Sequence, residues 1–372
     1  MKKNLRRLIK VFIYFILFTV VTAGTGLFYL SGIFGDAPNA RDMATCQQLP
    51  YFENGQFKSP EPIAYHFDKV QGGTLSVFKF LKKSPYAPRF ELPKTALTKD
   101  DFPKMPDNFA LYWLGHSSAL MDLNGKRFIF DPVFDNAGPL PFIVPRYGKA
   151  PIARDDLPPI DYVVLTHNHY DHMEKKTLQA LKNAHFIVPL GLKAALKGWG
   201  IAPENITEIG WDETFEENGL SITGLAGKHY SGRGFWDRNK TLWNSYAIKS
   251  DGRNIFWGGD TGYGAHFKRI GEKYGPFDFA ALEIDAWNPG WPDIHLFPHE
   301  VIKAAQDLKT TLVLPVHWGV FDLAMHPWHE SVDLVIKEAQ GTPVRIMTPV
   351  MGEKIVPGKT PTQKWWDLLA WD

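Results

Sequence analysis

The chain has 372 residues, with 41 lysines and arginines against 40 aspartates and glutamates, so it is close to neutral. Near neutrality, with no dense basic run beyond the first ten residues, argues against the phosphate-tracking groove that a nuclease needs and against a nucleic-acid partner. Cys46 is the single cysteine, which rules out an intrachain disulfide.

Residues 11–34 form an uncharged, mostly apolar run of 24, preceded by Lys2, Lys3, Arg6, Arg7 and Lys10. That length suffices to cross a bilayer. The basic flank predicts a cytoplasmic N-terminus and a single-pass membrane anchor, with the rest of the chain extracytoplasmic, periplasmic in a Gram-negative cell. Val21-Thr22-Ala23 offers the alternative of a cleaved signal peptide. In either case residues 1–35 are a targeting element and residues 36–372 carry the folded domain. Met43-Ala44-Thr45 ahead of Cys46 is a poor lipoprotein signal.

About 330 residues remain, enough for one large α/β domain. Residues 50–55 and 139–142 read as irregular cover. A strand over 111–115 runs into His116, which either lines a site or orients its loop. Another over 127–130 ends at Asp131 before Pro132, where a carboxylate can accept the second N–H of a ligand histidine or cap the strand.

The densest chemistry follows the apolar strand 162–165, in Thr166-His167-Asn168-His169-Tyr170-Asp171-His172. His167 and His169, two apart in extended backbone, point the same way and can grip one metal. Asp171 and His172 fall at the first turn of a helix expected over 173–184, where Leu178 and Leu181 give an amphipathic spacing, and can face a second metal. Imidazole and carboxylate donors without cysteine suit zinc, with iron or manganese also compatible.

Further donors stand at strand ends downstream. His229 follows the small-residue stretch 224–228, Asp260 follows the apolar run 254–257 and two glycines, and His317 follows the strand 311–316. Phe235-Trp236 and the stretch Trp287 to Trp291 either wall an apolar pocket or close the core. His295, in the loop before a helix over 301–308, is a candidate proton donor to a leaving group or an anion contact, whereas His299, His326 and His329 read as residues without a functional role. The ending Trp365-Trp366-Asp367-Leu368-Leu369-Ala370-Trp371 either docks on a bilayer or packs on its own domain.

The order H-x-H-x-D-H, His, Asp, His resembles the metallo-β-lactamase superfamily. The flanking words Trp113-Leu114-Gly115-His116-Ser117-Ser118, Gly258-Gly259-Asp260-Thr261-Gly262-Tyr263 and His317-Trp318-Gly319 resemble the branch that contains N-acyl-phosphatidylethanolamine-hydrolysing phospholipase D and its bacterial relatives. The resemblance implies an α/β fold, the αββα sandwich of two mixed sheets flanked by helices. It implies two Zn2+ per chain, one held by His167, His169 and His229, the other by Asp171, His172 and His317, with Asp260 bridging. It also disfavours a diiron oxidoreductase, since members with that chemistry carry glutamate where this chain has His169.

Two divalent cations sharing one water lower its pKa from 15.7 towards ~7, which makes hydrolysis the natural outcome. The expected function is therefore a membrane-anchored, binuclear zinc hydrolase, a phosphodiesterase acting on a lipid-type or other small-molecule substrate, with Asp260, Asp171 and His295 as candidate catalytic residues. A lactonase or amide hydrolase with the same site is the alternative. A non-catalytic metal-binding or sensing protein is a rival of another class, opposed by ligands at all seven positions.

Overall fold

The computed structural model describes residues 2–70, 84–102 and 109–369. A long helix α1 (Lys2–Phe34) leads to a small hairpin of β1 (Phe52–Glu53) and β2 (Gln56–Phe57). The hairpin was not expected from residues 50–55. It turns through Asn54 and Gly55, both at positive φ, the pairing that a tight two-residue hairpin loop requires.

The first large sheet contains β3 (Phe109–Gly115), β4 (Ser118–Leu123), β5 (Lys126–Phe130), β6 (Tyr162–Val164), β7 (His185–Pro189) and β8 (Ile206–Ile209). The second contains β9 (Thr214–Glu217), β10 (Leu220–Leu225), β11 (Ser245–Ser250), β12 (Arg253–Trp257), β13 (Phe279–Glu283), β14 (Leu312–Val316) and β15 (Arg345–Ile346), while β16 (Lys354–Ile355) returns to the edge of the first beside β3. Each sheet is antiparallel on one side and parallel on the other, with β5-β6-β7-β8 and β12-β13-β14-β15 forming the parallel halves.

Strands buried on both faces read as continuous apolar runs, and the two-residue period sorts their side chains. Phe128 and Phe130 of β5 and Tyr162 and Val164 of β6 point between the sheets, into a core shared with Ile222, Tyr246, Ile255 and Trp257. Their neighbours Ile129 and Val163 point outward, to Leu178, Leu192, Leu196 and Trp199. These belong to or adjoin α2 (Lys175–Ala180) and α3 (Leu192–Gly198), which cover the first sheet. Phe130 and Trp257 stack across the interior at 4.0 Å between centroids, worth about 0.5–1.5 kcal/mol beyond area burial. The helices α4 (Ala265–Lys273), α5 (Pro298–Asp307) and α6 (Glu330–Ala339) bury Phe267, Val301, Ala304, Val332 and Val335 in the core shared with the second sheet. The result is the αββα sandwich of the metallo-β-lactamase fold.

The helix expected over 173–184 is the shorter α2. Its first residues serve the preceding loop instead: the Met173 N–H closes a turn on the His169 carbonyl, and the extended Glu174 accepts the N–H groups of Phe134 and Asp135. Conversely, α5 starts before residue 301, with Pro298 in its first turn and the Glu300 carboxylate accepting the Phe297 N–H.

The stretch Tyr14–Phe34 of α1 is long and apolar enough to cross a membrane and is not buried against the rest of the chain. At its C-terminal end the carbonyl of Gly32 accepts from Lys175 Nζ and Trp199 Nε1, and that of Ile33 from Arg233. These are carbonyls that a helix end leaves without internal partners, and cationic donors suit its dipole. Trp365 and Trp366 lie buried against Trp318, so the tail packs on its own domain; Trp371 is outside the described residues.

Candidate metal centre

Six strand ends converge at one edge of the sandwich, where an α/β architecture leaves its ligand crevice. β5 delivers Asp131, β6 the run 166–172, β10 His229, β12 Asp260, β14 His317, and the β3–β4 turn His116. His116, Asp131 and His317 take positive φ, as does Gly259 at +59°. Non-glycine residues in that region cost about 1–3 kcal/mol each and persist where the surroundings over-determine them. A Cβ on Gly259 would stand 2.8 Å from Thr166 Cβ, so the approach of β12 to the histidine run requires glycine here. Gly224 serves another purpose than the site: its added Cβ would meet the Gly210 carbonyl oxygen at 2.4 Å.

All seven predicted donors come together. His167 Nε2 is 2.8 Å from His169 Nδ1, which is 3.3 Å from His229 Nε2. Asp260 Oδ2 lies 3.8 Å from His167 Nε2 and 3.7 Å from His229 Nε2. On the other side Asp171 Oδ2 is 3.4 Å from His172 Nε2 and 3.3 Å from His317 Nε2, and Asp260 is 3.2 Å from the former and 3.1 Å from the latter. Asp260 is therefore shared between two donor clusters. His167, His169, His229 and Asp260 offer ligand atoms within 4.8 Å of one another, as do Asp171, His172 and His317 with His116, the spacing of groups that could surround a cation.

The donor atoms also fit a metal in their hydrogen bonding. His172 Nε2, His317 Nε2 and Asp260 Oδ1 are fully buried yet make no hydrogen bond. Buried polar atoms without partners are uncommon, and here they all face the same space. Two of the ligand histidines commit their opposite ring nitrogen: His229 Nδ1 bonds the Ile294 carbonyl at 2.9 Å and His172 Nδ1 the Asp131 carboxylate at 2.9 Å. Each bond fixes the N–H on Nδ1 and leaves the Nε2 lone pair for the centre. Asp131 accepts from Thr166 N at 2.8 Å and Thr166 Oγ1 at 2.6 Å as well, which locks it.

Burial holds His167, His169 and His229 well below the ordinary imidazole range, the last two at about 3, so they are neutral donors. Burial also opposes charge on His317, but Asp260 and Asp171 outweigh it and push this imidazole up to about 10. The same carboxylates raise His172 against its desolvation. Reciprocally, His172 draws Asp171 and Asp260 below the carboxylate range, helped by His116 at Asp171 and by His317 at Asp260, despite burial.

His116, for which the sequence left two readings, does both things. Its Nε2 is 3.0 Å from Asp171 Oδ2 within the second cluster, and its carbonyl accepts from Trp113 Nε1 and His317 N. His295 lies beside Asp260 and His317, whereas His326 pairs with Asp285, His329 with Asp333, and His299 is exposed on α5.

The centre forms the floor of a cavity of about 430 Å3. Ala137, Ala286, Trp291 and Leu323 supply apolar wall; Tyr65, Tyr230 and Arg238 supply polar rim. Trp287 is core, while Phe235 and Trp236 neither wall this cavity nor close the core, being 68% and 79% exposed.

Glu283 escaped the sequence reading. It ends β13 as Asp260 ends its strand region, which was the available signal. Its Oε1 accepts the Leu296 N–H at 2.7 Å, and its Oε2, fully buried, is 3.4 Å from His295 Nδ1. Burial and then Asp260 raise its pKa well above the carboxylate range, and it faces an imidazole that burial lowers to about 4.

Residues 126–318 match the family model described as a beta-lactamase superfamily domain. An uncharacterised protein of Mycobacterium tuberculosis is 34% identical over 342 residues, 90% of this chain and 91% of its own. N-acyl-phosphatidylethanolamine-hydrolyzing phospholipase D 1 of Caenorhabditis elegans is 37% identical over 248 residues, 62% of this chain and 69% of its own. A metallo hydrolase of the archaeon Ignicoccus hospitalis shares the fold, with a TM-score of 0.53 at 20% identity over 66% of this chain and 97% of that one.

Proposed function

Because the chain belongs to the metallo-β-lactamase superfamily and is a metal-dependent hydrolase, we propose that it is a binuclear zinc phosphodiesterase acting on a phospholipid-type substrate. The observation that carries this reading is Asp260, one buried carboxylate shared by two clusters of donors. We assign His167, His169 and His229 to one zinc, Asp171, His172 and His317 to the other, and Asp260 to both. Cations held by these residues would supply Lewis acidity, activating water as a nucleophile and neutralising charge that builds on an attacked phosphoryl centre.

The protein's own groups do the rest. His295 Nδ1 faces the Glu283 carboxyl, which leaves its Nε2 towards the cavity. A protonated Glu283 that closes this 3.4 Å gap to donate to Nδ1 would keep the proton of His295 on Nε2, ready for a departing oxygen, and would replace it through Nδ1. Asp131 and the Ile294 carbonyl hold His172 and His229 in their donor tautomers. The apolar wall takes a hydrocarbon portion and excludes bulk water.

The choice of a lipid phosphodiester rests on the C. elegans relative's name and on the mixed walls of the cavity. We further propose that residues 1–35 anchor the chain in a membrane, N-terminus inside, and that residues 36–372 are one extracytoplasmic catalytic domain. The test uses the full chain in detergent, with bound zinc and iron quantified and turnover of N-acyl-phosphatidylethanolamine compared with a lactone and an amide. About two zincs and phosphodiester cleavage, both reduced in Asp260→Asn, are expected. Turnover of the lactone or amide alone would overturn the substrate assignment, and metal without any hydrolysis would overturn the enzymatic one.

A further inference from the structure

Arg238 stands on the long connection between β10 and β11, at the rim of the cavity above the donor clusters. Its guanidinium lies 4.6 Å from the centroid of the Tyr230 ring and 5.7 Å from that of Tyr65, and Nη2 donates to the Tyr65 hydroxyl at 2.8 Å. Tyr230 in turn packs on His169 at 4.5 Å and His229 at 4.8 Å between centroids. The cation is thus one aromatic ring away from the imidazoles of the first cluster.

No carboxylate among the described residues neutralises it. The adjacent carboxylate of Asp237 is committed to the N–H groups of Arg233 and Gly234, and no carboxylate among the described residues forms an ion pair with Arg238. Of the five N–H donors on a guanidinium, only the one to Tyr65 is spent within the described residues. An arginine clamped by two aromatic faces has already lost much of its rotamer freedom. An oxyanion that reaches it gains a forked, charge-assisted contact at reduced entropic cost.

The cavity is therefore two-sided, with Ala286, Trp291 and Leu323 opposite this cationic rim. We propose that Arg238, with Tyr65 and Tyr230, forms an anion subsite that takes a carboxylate or phosphate group of the substrate other than the group being cleaved. The preferred substrate is then amphipathic and carries a second oxyanion on its polar arm. This deepens the hydrolase reading and rests on the cavity being the active site.

The test uses three phosphodiesters that differ only at the end of the arm that does not leave: a methoxy group, a carboxylate or a phosphomonoester. kcat/KM is measured for the full-length, zinc-loaded wild type, Arg238→Gln and Arg238→Lys. The wild type is expected to prefer one or both anionic members over the methoxy compound by roughly tenfold, the scale of one charge-assisted hydrogen bond. The preference should fall to about one in Arg238→Gln, remain in part in Arg238→Lys, and weaken with added salt. Which arm shows it separates carboxylate from phosphate. Absence of the preference in the wild type, or its survival in Arg238→Gln, would overturn the subsite. If the wild type cleaves none of the three, the reaction class is wrong, and calorimetric binding of the same compounds decides the subsite alone. Anionic compounds binding about tenfold tighter to wild type than to Arg238→Gln support it, and equal binding refutes it.

Discussion

Replacing Asp131 by asparagine changes one oxygen for one amide group at a position with no solvent exposure. The carboxylate accepts three bonds, from Thr166 N, Thr166 Oγ1 and His172 Nδ1. An amide has a single oxygen, so whichever way it turns, its NH2 faces a donor. If the NH2 faces Thr166 N, a buried backbone N–H loses its acceptor, at about 1–3 kcal/mol. If it faces His172 Nδ1, the imidazole must move its proton to Nε2, which removes the lone pair available to a cation held with Asp260 and Asp171. Losing the group that orients a ligand histidine costs typically 10–100-fold in metal affinity, about 1.4–2.7 kcal/mol. We therefore expect Asp131→Asn to fold, to melt several degrees lower, and to bind zinc roughly 10–100-fold more weakly. Competition with a chromophoric chelator reads the affinity, and circular dichroism reads the melt. A variant that matched the wild type in zinc affinity and melting temperature would refute the assignment of Asp131 as the group that sets His172.

Gly259→Ala should destabilise the chain by about 1–3 kcal/mol, because a side chain at φ +59° is strained and its Cβ would press on Thr166; equal thermal melts of the two proteins would contradict this. Glu283→Gln retains an acceptor for Leu296 N and places an NH2 where the acid oxygen stands 3.4 Å from His295 Nδ1, but it cannot pass on a proton. Zinc content and KM should stay near wild type while kcat falls about tenfold, within the range of general acid catalysis. A change in KM with kcat intact would assign Glu283 a purely structural role.

Local chemistry was legible in the sequence. A two-residue period in extended backbone fixes the relative direction of His167 and His169, and a turn immediately after fixes Asp171 and His172; neither needs the rest of the fold. Strand runs ending in His229, Asp260 and His317 were legible for the same reason, since a buried strand must leave the sheet somewhere and its first polar residue marks the exit. Asp131 was visible as such an exit residue, and its partner is the histidine run on the next strand. Glu283 ends β13 in the same manner, yet its role depends on a loop thirteen residues later that brings His295 over it.

Other features were decided only by tertiary packing. Whether His116 lined the site or shaped its loop turned on the antiparallel pairing of β3 with β4 and on the distance to Asp171, 55 residues away. The length of α2 was set by what Met173 and Glu174 bind, which outweighs helical periodicity in so short a segment. The aromatic residues show the limit most clearly: Trp291 lines the cavity, Trp287, Trp365 and Trp366 are buried, and Trp236 is exposed, although all five look alike in sequence. Apolar burial is non-directional, so composition records that these rings are present without recording what they face. The cationic rim has the same origin. Tyr65 and Arg238 are 173 residues apart, and they meet because the segment ahead of β3 docks on loops of the second sheet, Ala64 N on Asp293 and His66 N on the Gly290 carbonyl.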